Sequence, residues 1–201
     1  MMNQQKISTQ RLVLTALFIA IVLLQSIIPW LGFIPINPMV RVTIIPFTVA
    51  LGAMILGPKV GMLLGLVMGG LSFYHAWTIP MGIGALMFRD PLVAFVPRML
   101  VGLIIGWLYW RYVRQQHGTK RLVSMFMMGA LTALINTVLV ITLTWIHFRV
   151  FNTTVAGLPN NVGIIWMFTS LAGANALLEI FLDGMLGLLV GGPVLKAINK
   201  L

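Results

Sequence analysis

The sequence predicts an all-α membrane protein, a bundle of six transmembrane helices with its N- and C-termini both in the cytoplasm. Three observations carry that expectation. Apolar residues fill 60% of the 201 positions and charged residues 8%, at a mean hydropathy of +1.03. A soluble domain wets its surface with about a quarter charged residues, so most of this surface must face lipid. Six apolar runs have the character of spans, at about 12–28, 42–56, 60–74, 91–110, 122–146 and 172–195. Crossing hydrocarbon takes roughly 20 mostly apolar residues as a helix, which satisfies every backbone amide without water. A membrane β-barrel would show strands of about ten residues alternating polar and apolar, a pattern missing from the sequence. The third observation is the segregation of Lys and Arg. With the N-terminus inside, Lys6, Arg11, Lys59, Arg111, Arg114, Lys120, Arg121, Lys196 and Lys200 are cytoplasmic, against Arg41, Arg89, Arg98 and Arg149 outside, nine to four. That is the bias of the positive-inside rule. It also absorbs the net charge of +10, which in a soluble protein would point to nucleic acid. No nucleic-acid partner is expected.

The first run leads straight into Gln25, Ser26 and Pro29 without a small-x-small cleavage site, so it reads as a span and not a signal peptide. Ala16 and Ala20 sit one turn apart on it, a small-xxx-small face that lets another helix approach closely. The second and third runs are short and meet at Gly57-Pro58-Lys59-Val60-Gly61, a tight turn. Small residues recur at Gly61, Gly65 and Gly69, at Gly102 and Gly106, and at Gly187 and Gly191. Internal packing is the first reading for these faces and docking of a partner the second. The connection at 111–121 is too short to fold alone, so residues 1–201 are read as one domain.

Three longer connections share the outer side. The first holds Pro29, Trp30, Gly32, Pro35, Asn37, Pro38 and Arg41. The second, 72–91, holds Phe73, Tyr74, His75, Trp77, Pro80, Gly82, Gly84, Arg89 and Asp90. The third, 148–170, holds Asn152, Thr153, Thr154, Pro159, Asn160, Asn161 and Trp166. A small-molecule site wants an aromatic lining with a few convergent polar groups. Interfacial belts explain any single Trp, but they explain less well three such loops on one face.

Enzymatic motifs are missing from the sequence: no nucleotide-binding glycine loop, no H-E-x-x-H, no Gly-x-Ser-x-Gly elbow, and three well-separated histidines. No catalytic residue, metal-ligand set or cofactor is expected. Without cysteine there is no disulfide or thiolate chemistry. The three acids are Asp90, Glu179 and Asp183. Glu179 and Asp183 lie four residues apart on the last span and so share a face. Ionisable groups at membrane depth are costly and usually meet a partner, cavity or substrate. Arg98 is the first candidate partner and Arg41 the second. A structural salt bridge, a substrate-site residue and a proton or ion relay all fit this spacing. Asn136 and Asn175, with Thr132, Thr137, Thr142 and Thr144, are the other polar residues in the spans. Interhelical hydrogen bonding is their ordinary role. An Arg fork would hold an anionic ligand by two parallel hydrogen bonds.

Taken together, Ala16-x-x-x-Ala20, the stretch Leu56-Gly57-Pro58-Lys59-Val60-Gly61 followed by Gly65, and Asp90-Pro91-Leu92-Val93-Ala94-Phe95-Val96-Pro97-Arg98 leading into Gly102 resemble the S components of energy-coupling factor (ECF) vitamin transporters. The resemblance covers essentially the whole chain. It implies a multi-pass subunit of the bacterial cytoplasmic membrane that captures a water-soluble vitamin or precursor at high affinity. It would work with a membrane scaffold subunit and two cytoplasmic ATPases, which explains why the chain lacks an ATP motif. It implies that Ala16 and Ala20 meet the scaffold and that the outer loops and helix ends line the site. Among such proteins the pattern is most similar to those for pantothenate or hydroxymethylpyrimidine. Pantothenate is favoured, with Arg98 or Arg41 for its carboxylate and Asn136 and Asn175 for its polar atoms. A neutral pyrimidine would draw on Glu179 with Phe73, Tyr74 and Trp77; His75 completes the candidate binding set. Folate or riboflavin would want more Trp and Tyr. The rival class is a proton-coupled secondary transporter using Glu179 and Asp183. It predicts uptake by this chain alone, but the halves lack matched broken helices.

Overall fold

The computed structural model describes residues 9–35, 41–79, 83–151, 163–169 and 173–198. Helix α1 (Thr9–Ile27) is followed by one turn, α2 (Pro29–Gly32), and a small antiparallel ladder of β1 (Phe33–Pro35) and β2 (Arg41–Thr43). Then come α3 (Ile45–Leu56), α4 (Pro58–Thr78), the short α5 (Ile83–Leu86) with a 3-10 turn at Met87–Arg89, and α6 (Pro91–Leu108) with a π-helical turn at Tyr109–Val113. The chain continues as α7 (Gly118–Phe151), α8 (Ile164–Met167), α9 (Gly173–Leu186), a π-helical turn at Gly187–Gly191, and α10 (Gly192–Ile198).

The protein is an all-α membrane protein, but its apolar runs are not six equal spans. Among the described residues, five stretches are long and apolar enough to cross a membrane: Thr9–Ile27, Pro58–Thr78, Pro91–Val113, Gly118–His147 and Asn175–Ala197. The remaining run is α3, which has 12 residues. At 1.5 Å per residue it is about 18 Å long, against a hydrocarbon core of about 30 Å. Every α3 residue except Ile55 is buried, as expected of a helix that is apolar all round. It is the central post, packed by α1, α4, α6 and α7. Phe18, Val22, Phe47, Leu64 and Met68 close its α1–α4 side, and Ile105, Tyr109, Met125 and Leu195 its α6–α7 side. The β1–β2 ladder, which pairs Phe33 with Thr43, is a second departure from the expected all-helical bundle.

The turn from α3 to α4 follows from its sequence. Gly57 takes φ 100°, a left-handed value that a side chain disfavours. Pro58 has no N–H for the Met54 carbonyl one turn back, and Trp110 Nε1 donates to that oxygen instead, at 3.0 Å. Arg11 Nη2 donates to the Leu56 carbonyl at 2.7 Å. These contacts tie α1, α3, α4 and α6 together at the end of the molecule where the described chain starts and finishes, here the terminal end. The opposite end, with the β-ladder and the α4–α6 and α7–α9 connections, is the loop end.

The glycine faces of α4 and α6 meet each other. A Cβ on Gly61 would strike the Gly102 carbonyl, and one on Gly65 the Arg98 carbonyl. Four residues forward on α4 match four back on α6, so the pair is antiparallel with backbones in contact. Helices α7 and α9 close in the same way, Gly129 against the Asp183 carbonyl and Gly187 against the Met125 carbonyl. Small residues on neighbouring turns let helices approach this closely.

Candidate functional site

Asp90 Oδ1 accepts hydrogen bonds from the N–H groups of Leu92 (2.6 Å) and Val93 (3.3 Å), capping α6, and Pro91 fills the first helical position. The same carboxylate pairs with His147 of α7. Seven residues past the cap, Pro97 interrupts the helix. It has no N–H for the Val93 carbonyl, and Arg98 Nη1 supplies the missing donor at 2.8 Å. The guanidinium carbon stands 4.0 Å from the centre of the Phe88 ring. Phe88 in turn packs against the buried cluster of Met87, Val93 and Val140. Arg98 is 4% exposed, and its Nε has no hydrogen-bond partner among the described residues.

Two other polar side chains lie at this depth, and two carboxylates one and two turns deeper. Val93 shares a cluster with Val140 of the antiparallel α7, so a turn and a half further on, Arg98 is level with Asn136. Gly129 faces Asp183, so two turns on, Asn136 is level with Asn175, and Glu179 lies one turn below them. Glu179 is buried, and its Oε1 accepts from the Thr43 N–H of β2 at 3.1 Å. Arg98 and Glu179 lie within each other's electrostatic field, but among the described residues no direct ion pair joins them. Asp183, one turn deeper, is fully buried; its two carboxylate oxygens lack hydrogen-bond partners among the described residues. Asn136 Oδ1 and Asn175 Oδ1 are also buried without a partner there. A native interior pairs most buried polar atoms, and each exception asks for a reason. Those of Arg98, Asn136 and Asn175 share a level toward the loop end, with Glu179 one turn and the unpartnered Asp183 oxygens two turns deeper, a polar niche with one guanidinium, two carboxylates and two amides. Such a set can hold a small ligand carrying both a negative charge and hydrogen-bond donors.

The aromatic residues of the second loop stand apart from this niche. Phe73 is half-buried, its ring 6.1 Å from Phe95 and 6.4 Å from Trp77. Tyr74 and Trp77 are turned outward, 61% and 59% exposed. His75 is half-buried beside Tyr74, and its carbonyl accepts the Ile79 N–H that ends α4. Arg89 lies over Trp77 and donates to the Ala76 carbonyl at 2.9 Å, so it closes the end of α4. Arg41 opens β2, and its side chain lies outside the described residues. So do Asn37, Pro38, Pro80, Gly82 and the 152–162 part of the third loop, with Asn152, Thr153, Thr154, Pro159, Asn160 and Asn161. Ala16 and Ala20 are exposed on the side of α1 opposite Phe18 and Val22.

Several contributors escape motif reading. The Thr43 N–H is a backbone group and carries no side-chain signal. Phe88 is an ordinary apolar residue until the fold lays its ring under a cation. Trp145, whose half-buried indole N–H has no partner among the described residues, sits inside an apolar span where a Trp looks unremarked. For Arg98 the sequence holds half of the signal: a proline within a helix strips the carbonyl four residues earlier of its donor, but does not say which group replaces it.

Comparison with known proteins adds two findings. The family model described as "ECF transporter, substrate-specific component" matches residues 10–191. The pantothenate transporter PanT of Leuconostoc mesenteroides subsp. mesenteroides is 41% identical over 195 residues, which cover 96% of this chain and 95% of that protein.

Proposed function

The chain belongs to the family of ECF-transporter substrate-specific components, and from that premise we propose that it is the high-affinity pantothenate-capturing subunit of an importer in a bacterial cytoplasmic membrane. The observation that carries the reading is the buried guanidinium of Arg98, with no direct ion pair to its neighbour Glu179 among the described residues. A buried charge without a direct counter-ion costs several kcal/mol, and a ligand carboxylate relieves that cost by replacing water with a charge-assisted hydrogen bond. Pantothenate has one carboxylate, two hydroxyls and an amide. In the proposed site Arg98 holds the carboxylate, Glu179 accepts a hydroxyl or amide proton, and Asn136 and Asn175 complete the polar contacts. Arg41 is the second candidate for the anion. The likeness to PanT supports the same cargo. A flat neutral pyrimidine would rest on Phe73, Tyr74, His75 and Trp77, and the outward turn of Tyr74 and Trp77 speaks against it.

The chain acts as a single domain, with α3 as a short sixth membrane element and both termini cytoplasmic. In support, Arg11, Lys59, Arg111, Arg114, Lys120, Arg121 and Lys196 all fall at the terminal end, as the positive-inside rule expects of a cytoplasmic face. The loop end then faces outward, where the solute is captured. A scaffold membrane subunit meets the exposed Ala16–Ala20 face, and two ATPases supply the energy. Calorimetry of the purified chain against a panel of water-soluble vitamins tests the reading. Tight one-to-one binding of pantothenate is expected; binding of hydroxymethylpyrimidine, folate or riboflavin in its place would overturn the cargo.

A further inference from the structure

We propose that Pro97 and Phe88 are positioning residues that aim the Arg98 guanidinium at an anionic ligand and so set the preference for a carboxylate over its neutral analogue. The inference rests on the functional reading above. A guanidinium presents donors along more than one edge of its plane, and which edge meets a carboxylate depends on what holds the others. Here one edge is held by an unusual acceptor. The Val93 carbonyl accepts from Arg98 Nη1 at 2.8 Å because Pro97, one turn along, has no N–H to give it. In an apolar environment a carbonyl freed in this way needs a new donor. The proline therefore turns a backbone oxygen into a fixed anchor for the side chain that follows it.

Phe88 sets the second coordinate. Its ring centre is 4.0 Å from the guanidinium carbon, so it covers one face of the plane. The ring itself packs against the cluster of Met87, Val93 and Val140 from the 3-10 turn, α6 and α7. Gly65 fixes the third, because the Arg98 backbone packs where a Cβ of residue 65 would stand. With Nη1 anchored and one face covered, Nε remains buried and without a partner among the described residues. In the proposal that edge of the fork is the one left to meet the ligand carboxylate. A side chain with several rotatable bonds is thus fixed before the ligand arrives, which lowers the ordering cost of binding.

The test compares pantothenate with the alcohol in which its carboxylate is reduced to a hydroxymethyl group, by calorimetry on wild type and variants. Pro97→Ala returns an N–H beneath the Val93 carbonyl and removes the anchor. Pantothenate affinity should fall roughly 10–100-fold while affinity for the alcohol changes by less than about threefold. Phe88→Leu keeps apolar volume in the cluster and should give the same selective loss, smaller in size. On an Arg98→Ala background, Pro97→Ala should have no further effect on pantothenate, because the two residues act as one unit. Equal losses for acid and alcohol, no loss in either variant, or additive losses in the double variant would overturn the inference and leave the functional reading standing. A wild type that binds no pantothenate would overturn the reading itself, and with it the inference.

Discussion

Two faces of this protein carry the same sequence signature and meet opposite surroundings. Gly61, Gly65 and Gly69 on α4 and Ala16 and Ala20 on α1 are both small-xxx-small rows. The glycine row is consumed inside the molecule, its backbone pressed on Ala94, Arg98 and Gly102 of α6. The alanine row faces outward, away from the Phe18–Val22 seam that holds α1 to the bundle. Small residues on successive turns state that a helix backbone can come close; they do not state whose. What separates the two is the rest of each helix. The turns around the α4 glycines bring Leu64 and Met68 to the core, whereas α1 has only Phe18, Val22 and Ser26 buried. A face so apolar and so lightly packed on its own chain is either lipid-facing or a docking surface.

The comparison can be broken by substitution, and the expected effects on the isolated protein run from large to small. Gly65→Leu forces a side chain into the Arg98 backbone and should cost more than about 4 kcal/mol, enough to remove folded protein. Monodisperse protein with an unchanged thermal midpoint would mean that α4 and α6 do not touch as described. Arg98→Ala leaves the seam intact but removes the buried cation, and should weaken pantothenate binding by roughly 2–5 kcal/mol. Normal affinity in calorimetry would make Arg98 a structural residue. Ala16→Trp and Ala20→Trp should be nearly silent in the isolated chain, within about 0.5 kcal/mol of stability as surface changes are. They should leave pantothenate binding intact and abolish uptake in cells. Unimpaired uptake in both would remove the docking role of α1.

The helices and their order were legible in the sequence because hydrocarbon imposes a length and an apolar composition on anything that crosses it. The role of α3 was not. A hydropathy run records avoidance of water, and a helix sheltered by its neighbours avoids water as thoroughly as one bathed in lipid. The shortness of the run at 42–56 did not mark it out, because the run at 60–74 reads as equally short and proves to be the 21-residue α4, while α3 has 12. The β1–β2 ladder was hidden in a segment whose Pro and Gly residues announce a loop. Arg98 and Glu179 were identifiable as costly charges at depth, and the fold brings them within each other's electrostatic field, about one turn apart in level. A direct ion pair was one of three readings the spacing left open; among the described residues none joins them, and Glu179 Oε1 instead accepts from the Thr43 N–H while Arg98 Nη1 donates to the Val93 carbonyl. Neither backbone partner can be seen from side-chain types. Tyr74 and Trp77 show the converse: residue type suggested a lining, and helix phase turned them outward.

The division of labour between capture and energy is the centre of the account, and reconstituted transport tests it most directly. Liposomes carrying this chain alone, and liposomes carrying it with a scaffold subunit and two ATPases, would be compared for uptake of labelled pantothenate with and without ATP. The account predicts no uptake by the chain alone under any ion gradient, and ATP-dependent uptake once the partners are present. Uptake by the chain alone driven by a proton gradient would contradict it and make Glu179 and Asp183 a relay.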